Sequence, residues 1–225
     1  MRHSTSNRVR VGLAAAGVAA LLTGAAAPPQ VATCASCHGA NGLGNAQTGF
    51  PALAGLPAAY LEQQLYSFKH GGRVNAIMQS FASKLTKADR TIIANYYTNL
   101  PVPPKAEPSP LPAGPGDDLA INGAWHQQLS GLPSCESCHG PYGIGVGANF
   151  PRLAGQPKAY LANQLIAWQK GSRSNDPLHL MRNVASKLND AQIDAVAGYY
   201  AALSANPTIL PKPGEPSHAN VKGAK

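Results

Sequence analysis

Every cysteine in this chain sits in one of two pentapeptides, Cys34-Ala35-Ser36-Cys37-His38 and Cys135-Glu136-Ser137-Cys138-His139, 101 residues apart. Nothing else in the sequence restricts the fold so strongly, because Cys-x-x-Cys-His is the attachment pattern of c-type haem. Two thiols three residues apart can each add to one vinyl group of a single porphyrin, while the next side chain reaches the iron. On this reading two haem c groups are held covalently, with His38 and His139 as iron ligands. Two disulfides or two zinc knuckles are the competing uses of four such cysteines. The histidine after each pair and the wide separation count against both, since zinc knuckles pair at much shorter spacing.

A six-coordinate c-type haem takes a methionine or a second histidine on its far face. The chain has three methionines, of which Met1 is the initiator. Met78 follows His38 by 40 residues and Met181 follows His139 by 42, which leaves one methionine per motif. A single Met in a helical protein is ordinarily a core filler, but the matched placement assigns Met78 and Met181 as the second ligands. His179, two residues before Met181, is the alternative at the second iron.

An internal repeat accounts for the matching. Phe50-Pro51-Ala52-Leu53-Ala54-Gly55 returns as Phe150-Pro151-Arg152-Leu153-Ala154-Gly155, and Tyr60-Leu61 with Gln64-Leu65 returns at an offset of 100. The offset is 101 at the cysteines and 103 at the methionines, so three extra residues fall between Asn175 and Met181. Each copy is too short to bury a strong core by itself, and a haem would complete it. The organisation read from this is a leader over 1–27, a first domain over 28–100, a linker over 101–116, a second domain over 117–205 and a basic flexible tail over 206–225. The linker has seven prolines in sixteen residues. At about 3.1 Å per residue it could reach on the order of 50 Å, so the sequence leaves the distance between haems open.

Helical spacing dominates both copies. Pro57 and Pro157 suit a first helical turn, followed by Leu61, Leu65 and Phe68 or by Leu161, Leu165 and Trp168. Thr86 with Asp89, and Asn189 with Gln192, predict capped helices carrying Ile92, Ile93, Tyr96 and Tyr97, or Ile193, Val196, Tyr199 and Tyr200. Ahead of the second motif, Asp117 to Gln128 predicts a helix with Ala124 and Trp125 against Tyr199 or Tyr200. The first motif has no comparable segment in a cleaved chain. No stretch alternates as a strand does, so the fold class is all-α.

Arg2, Arg8 and Arg10 precede an apolar run from Val11 to Ala27, which reads as a signal peptide cut near Ala25 or Ala26. A periplasmic protein follows, with retention of the run as an anchor on the inner membrane as the alternative.

Two Cys-x-x-Cys-His motifs, each followed by Phe-Pro-x-Leu-Ala-Gly and a late methionine, resemble the dihaem cytochrome c4 family, built from two tandem class I cytochrome c domains. The resemblance spans nearly all of the mature chain. It implies thioethers at Cys34, Cys37, Cys135 and Cys138, and iron ligation by His38 with Met78 and by His139 with Met181. It also implies that the Pro51 and Pro151 carbonyls accept the imidazole N–H of each proximal histidine.

With both axial positions filled, such a haem passes single electrons and leaves no open site for substrate. The remaining histidines, His70, His126, His179 and His218, have no nucleophile or paired carboxylate nearby and read as surface groups. The expectation is therefore an electron carrier between a quinol-oxidising complex or dehydrogenase and a terminal oxidase. The cytochrome subunit of a periplasmic dehydrogenase is the alternative, and a dihaem peroxidase or sulfur-compound oxidase the more remote one. Removal of the leader arginines leaves fifteen basic against ten acidic side chains, and four haem propionates bring the protein near neutrality, which excludes nucleic acid as a partner. Redox proteins remain as partners, with peripheral or tethered association with membrane complexes. A basic face on the first domain would steer it to an acidic partner. Arg73 and Arg173 recur within Gly-x-Arg-x-Asn and are read as contacts to a haem propionate.

Overall fold

The computed structural model describes residues 27–105, 111–124 and 131–206. Strand pairing among these residues is limited to isolated bridges. The first half runs through α1 (Ala32–His38), α2 (Ala58–His70), α3 (Ala76–Ala82) and α4 (Lys87–Thr98). The second runs through α5 (Pro115–Asn122), α6 (Glu136–His139), α7 (Lys158–Gln169), α8 (Leu180–Ala185) and α9 (Asp190–Ala202). The leader up to residue 26, Trp125, His126 and the tail from Pro207 onward, His218 included, lie outside the described residues.

Caps and apolar spacing fix the long helices. At the start of α4 the Thr86 hydroxyl accepts from the Asp89 N–H at 3.1 Å, while the Asp89 carboxylate accepts from the Thr86 N–H at 3.0 Å. Asn189 and Gln192 make the same reciprocal pair on α9, at 2.9 Å each way. Such boxes satisfy donors that a helix start leaves open. Behind them Ile93, Ala94 and Tyr97 are buried on α4, and Ile193, Val196, Tyr199 and Tyr200 on α9. Pro57 and Pro157 stand one position earlier than the sequence predicts, as N-cap residues of α2 and α7 with ψ of 134° and 132°. Their extended ψ swings the preceding loop into the helix axis, and the missing N–H is no loss at either position.

In each half the long helices pack in pairs, α2 on α4 and α7 on α9, and α5 lies across α9. α5 begins and ends earlier than expected. Pro115 occupies its first turn, and the Asp117 carboxylate accepts from the Gly114 N–H at 2.6 Å. It stops at Asn122 because Gly123 turns to a φ of +65°. Gly116 allows the close crossing, since a Cβ there would stand 2.3 Å from the Ala195 carbonyl oxygen. Ala124 packs with Leu132, Leu188 and Ile193 rather than on the α9 tyrosines. In the first half a single 3-10 turn, Pro29–Val31, packs on α4 and buries Val31 beside Ile93 and Tyr97.

The halves dock on each other through an antiparallel contact between repeated segments. The Val74 N–H donates to the Ser172 carbonyl at 2.7 Å and the Ser174 N–H to the Gly72 carbonyl at 2.8 Å, around an Arg73–Arg173 bridge. The start of the proline-rich join is tied down as well. Lys105 N–H donates to the Asn206 carbonyl at 3.0 Å, and the Asn206 amide donates to the Val102 carbonyl at 2.7 Å.

Candidate haem sites and the interface between them

In both halves the cysteine pair and its histidine close a helical turn. α1 ends on His38 and α6 on His139, and the following Gly39 and Gly140 take φ of +78° and +76°, which turns the chain away. Residues three apart are neighbours on a helix surface, so each pair of thiols shares a side. No disulfide joins the four cysteines, and all are half-buried. No cluster of three or more His, Cys, Asp or Glu side chains converges among the described residues, so the zinc alternative finds no ligand set.

Both histidines are buried, and Nδ1 of each lies 2.8 Å from a proline carbonyl, Pro51 for His38 and Pro151 for His139. A carbonyl only accepts, so Nδ1 carries the hydrogen and Nε2 is left bare, the arrangement a metal-ligating imidazole needs. Burial lowers the pKa of both imidazoles, against the carbonyl contact that raises it, and the Arg173 charge lowers His139 further. Phe50 and Phe150 meet the two rings edge-on, with centroids 6.3 and 6.0 Å away.

Met78 is the third residue of α3, where its N–H donates to the Asn75 side chain at 2.9 Å. Met181 is the second residue of α8, and both methionines are half-buried. Their approaches differ because of the three extra residues. These form a 3-10 turn, Pro177–His179, in which Leu178 and His179 take φ of 54° and 60°. Left-handed backbone at a residue with a side chain costs about 1–2 kcal/mol. Asp176 holds the strained turn, accepting from the Arg182 backbone N–H at 3.0 Å and from its Nε at 2.8 Å. His179 and His70 are exposed, and His70 stacks on Tyr66 with ring centroids 4.1 Å apart.

Arg73 and Arg173, read from sequence as propionate contacts, stand at the junction of the halves. Arg73 donates to Gln64 at 3.1 Å and, across the interface, to Tyr160 at 2.9 Å and Gln164 at 2.6 Å. Arg173 donates to Gln164 at 3.0 Å and back across to Tyr60 at 3.2 Å and Gln64 at 3.1 Å. Each guanidinium also lies over an aromatic ring, Phe68 at 4.5 Å and Trp168 at 3.9 Å. The sequence reading assigned Tyr60, Gln64, Tyr160 and Gln164 no role, although their recurrence at one offset marked them. Neither arginine has a carboxylate partner among the described residues. Burial, followed by the like charge of Arg73, lowers the Arg173 pKa. At Tyr160 burial alone would raise the pKa, but the charges of Arg73 and Arg173 outweigh it and hold the phenol below its ordinary value.

These residues fit a haem. Each half offers two neighbouring thiols and a neutral imidazole with a bare Nε2. Apolar side chains stand exposed around each methionine, Val74, Ile77 and Phe81 near Met78, Leu178 and Leu180 near Met181. Two buried cations without carboxylates, and the Trp168 indole N–H buried without an acceptor among the described residues, suit the negative propionates of a porphyrin.

The family model for cytochrome c matches residues 25–101. A thiosulfate dehydrogenase electron acceptor from Thiomonas intermedia is 48% identical over 188 residues, covering 82% of this chain and 84% of that protein. The structure of reduced cytochrome c4 from Pseudomonas stutzeri superposes with a TM-score of 0.68 at 34% identity, covering 77% of this chain and 95% of that one. The chain belongs to the dihaem cytochrome c4 family. A thiosulfate dehydrogenase structure from Marichromatium purpuratum also matches, with a TM-score of 0.69 and 41% identity over 76% of this cytochrome, which spans only 36% of that longer chain. This cytochrome thus carries two covalent haem c groups, at Cys34 and Cys37 and at Cys135 and Cys138, and it transfers electrons rather than catalysing a reaction of its own. The bound haem supplies a one-electron iron couple. No helix among the described residues is long and apolar enough to cross a membrane.

Proposed function

We propose that this cytochrome is the periplasmic electron acceptor of a thiosulfate-oxidising dehydrogenase. The observation that carries the reading is its higher identity to a thiosulfate dehydrogenase electron acceptor, 48%, than to the cytochrome c4 structure, 34%. The protein would take electrons singly on each haem and pass them toward a terminal oxidase. Two haems in one chain would let it collect an electron pair from one encounter. His38 and Met78 ligate the first iron in this reading, and His139 and Met181 the second. Arg73 and Arg173, already short of counter-charge, face the propionates. The domain limits read from sequence, 28–100 and 117–205 after a cleaved leader, belong to the same proposal.

The partner is tested by mixing the oxidised holoprotein with a thiosulfate dehydrogenase and thiosulfate in a stopped-flow spectrometer. Rapid reduction of both haems is expected, and reduction no faster than that of an unrelated c-type cytochrome would leave a general respiratory carrier as the better description. Ligation is tested by Met78→His and Met181→His. Each variant is expected to lose part of the weak far-red sulfur-to-iron band and to lower one of the two reduction potentials, because thioether sulfur favours reduced iron more than imidazole does. An unchanged band in either variant would reassign that ligand.

A further inference from the structure

The repeat breaks at two positions that meet across the interface. Where the second copy has Arg152 and Gln156, the first has Ala52 and Leu56. The Gln156 amide grips Ala52 from both sides: its Oε1 accepts from the Ala52 N–H at 2.9 Å and its Nε2 donates to the Ala52 carbonyl at 2.9 Å. Arg152 adds a third bond, from Nη2 to the Ala54 carbonyl at 3.1 Å. All three lie in the buried interior, with Gln156 only 2% exposed. Ala52 directly follows Pro51, whose carbonyl stands 2.8 Å from His38 Nδ1.

The grip runs one way. Leu53 and Ala54 N–H both donate to the Gly42 carbonyl, and Leu153 and Ala154 N–H both donate to the Gly143 carbonyl, so each half braces its own proline loop alike. Among the described residues, only the first loop is also hydrogen-bonded from the other half. Leu56, at the place of Gln156, has no side-chain amide with which to return the contact.

We propose that Gln156 is a positioning residue through which the second half sets the redox potential of the first. The inference rests on the reading of His38 as an iron ligand. A fixed Pro51 carbonyl holds a short bond to Nδ1–H, which makes the imidazole a stronger donor at Nε2 and favours oxidised iron. Without the amide, Ala52 loses both partners, the loop relaxes, and the Nδ1–H contact lengthens. The first iron is then easier to reduce, while the Pro151–His139 contact keeps its geometry.

The test is a spectroelectrochemical titration of the exported holoprotein, in which Met78→His marks the first-half wave by lowering it. Gln156→Leu, which installs the residue of the first copy, is expected to raise that wave and leave the other in place. Gln156→Asn keeps an amide but falls one methylene short, so it shifts the same wave by less and guards against a Leu variant that fails to fold. Ser174→Ala, which loosens the interface at its other edge by removing a bond to the Gly72 carbonyl, is expected to move neither. Equal shifts of both waves in Gln156→Leu, or no shift of either, would overturn the proposal. A Met78→His variant that moves no wave would instead overturn the ligand reading on which it rests.

Discussion

Exported protein carrying Cys135→Ser together with Cys138→Ser ends with one covalently bound haem per chain instead of two, and its second half loses cooperative folding. Both thiols of that motif are spent on a single porphyrin, and the other two cysteines, Cys34 and Cys37, belong to the first motif and cannot replace them. The packing explains why the loss spreads. Cys135 itself lies against the cluster formed by Ala120, Tyr142, Val196, Tyr199 and Tyr200. Elsewhere in the second half, beside Met181 in the chain, Leu178 and Leu180 are exposed. A domain of this size buries too little of its own chain to tolerate the loss of its largest apolar group. Haem quantified as the pyridine complex, with near-ultraviolet circular dichroism for the fold, checks both parts. Two haems per chain in the double variant would refute the assignment of the second motif.

Gly44→Ala is expected to lower stability by on the order of 3 kcal/mol, a hundredfold in the unfolding constant, and to loosen the first proximal histidine. Gly44 has a φ of +75°, and a Cβ there would stand 2.5 Å from the Phe50 carbonyl oxygen and 2.6 Å from the Ala52 nitrogen. Left-handed strain contributes about 1–2 kcal/mol, and displacement of a packed segment about 1–3 kcal/mol. The displaced segment contains Pro51, so the contact with His38 Nδ1 opens along with the fold. Denaturant unfolding followed through the haem absorbance should show a lower midpoint at an unchanged slope. A midpoint within error of the parent would mean that the loop yields without consequence. Gly145→Ala in the second half should act in the same direction more weakly, because its Cβ would meet the Arg152 nitrogen at 2.8 Å.

The covalent chemistry was legible in the sequence because it is local. Cys-x-x-Cys-His fits within one helical turn, and one turn is set by neighbouring residues whatever the rest of the chain does. The capping pairs Thr86/Asp89 and Asn189/Gln192 were legible for the same reason, as was the duplication, since matching residues need no partner to be recognised. The helix ahead of the second motif was misjudged at both ends. Its limits depend on Gly116 meeting Ala195 and on the turn at Gly123, and apolar spacing carries neither fact.

What the sequence by itself determined is therefore an all-α, duplicated chain with two haem attachment sites and one spare methionine for each. Only the tertiary structure decided how the copies face each other. Arg73 and Arg173 stood out in the sequence only as candidate propionate contacts, and Gln64 and Gln164 as repeated residues without a role; docking brings the four together, because a hydrogen bond between residues about a hundred positions apart leaves no trace in local spacing. Gln156 shows the point most plainly: in the sequence it is a glutamine after a glycine, and in the folded protein it grips the loop that orients His38 in the other half.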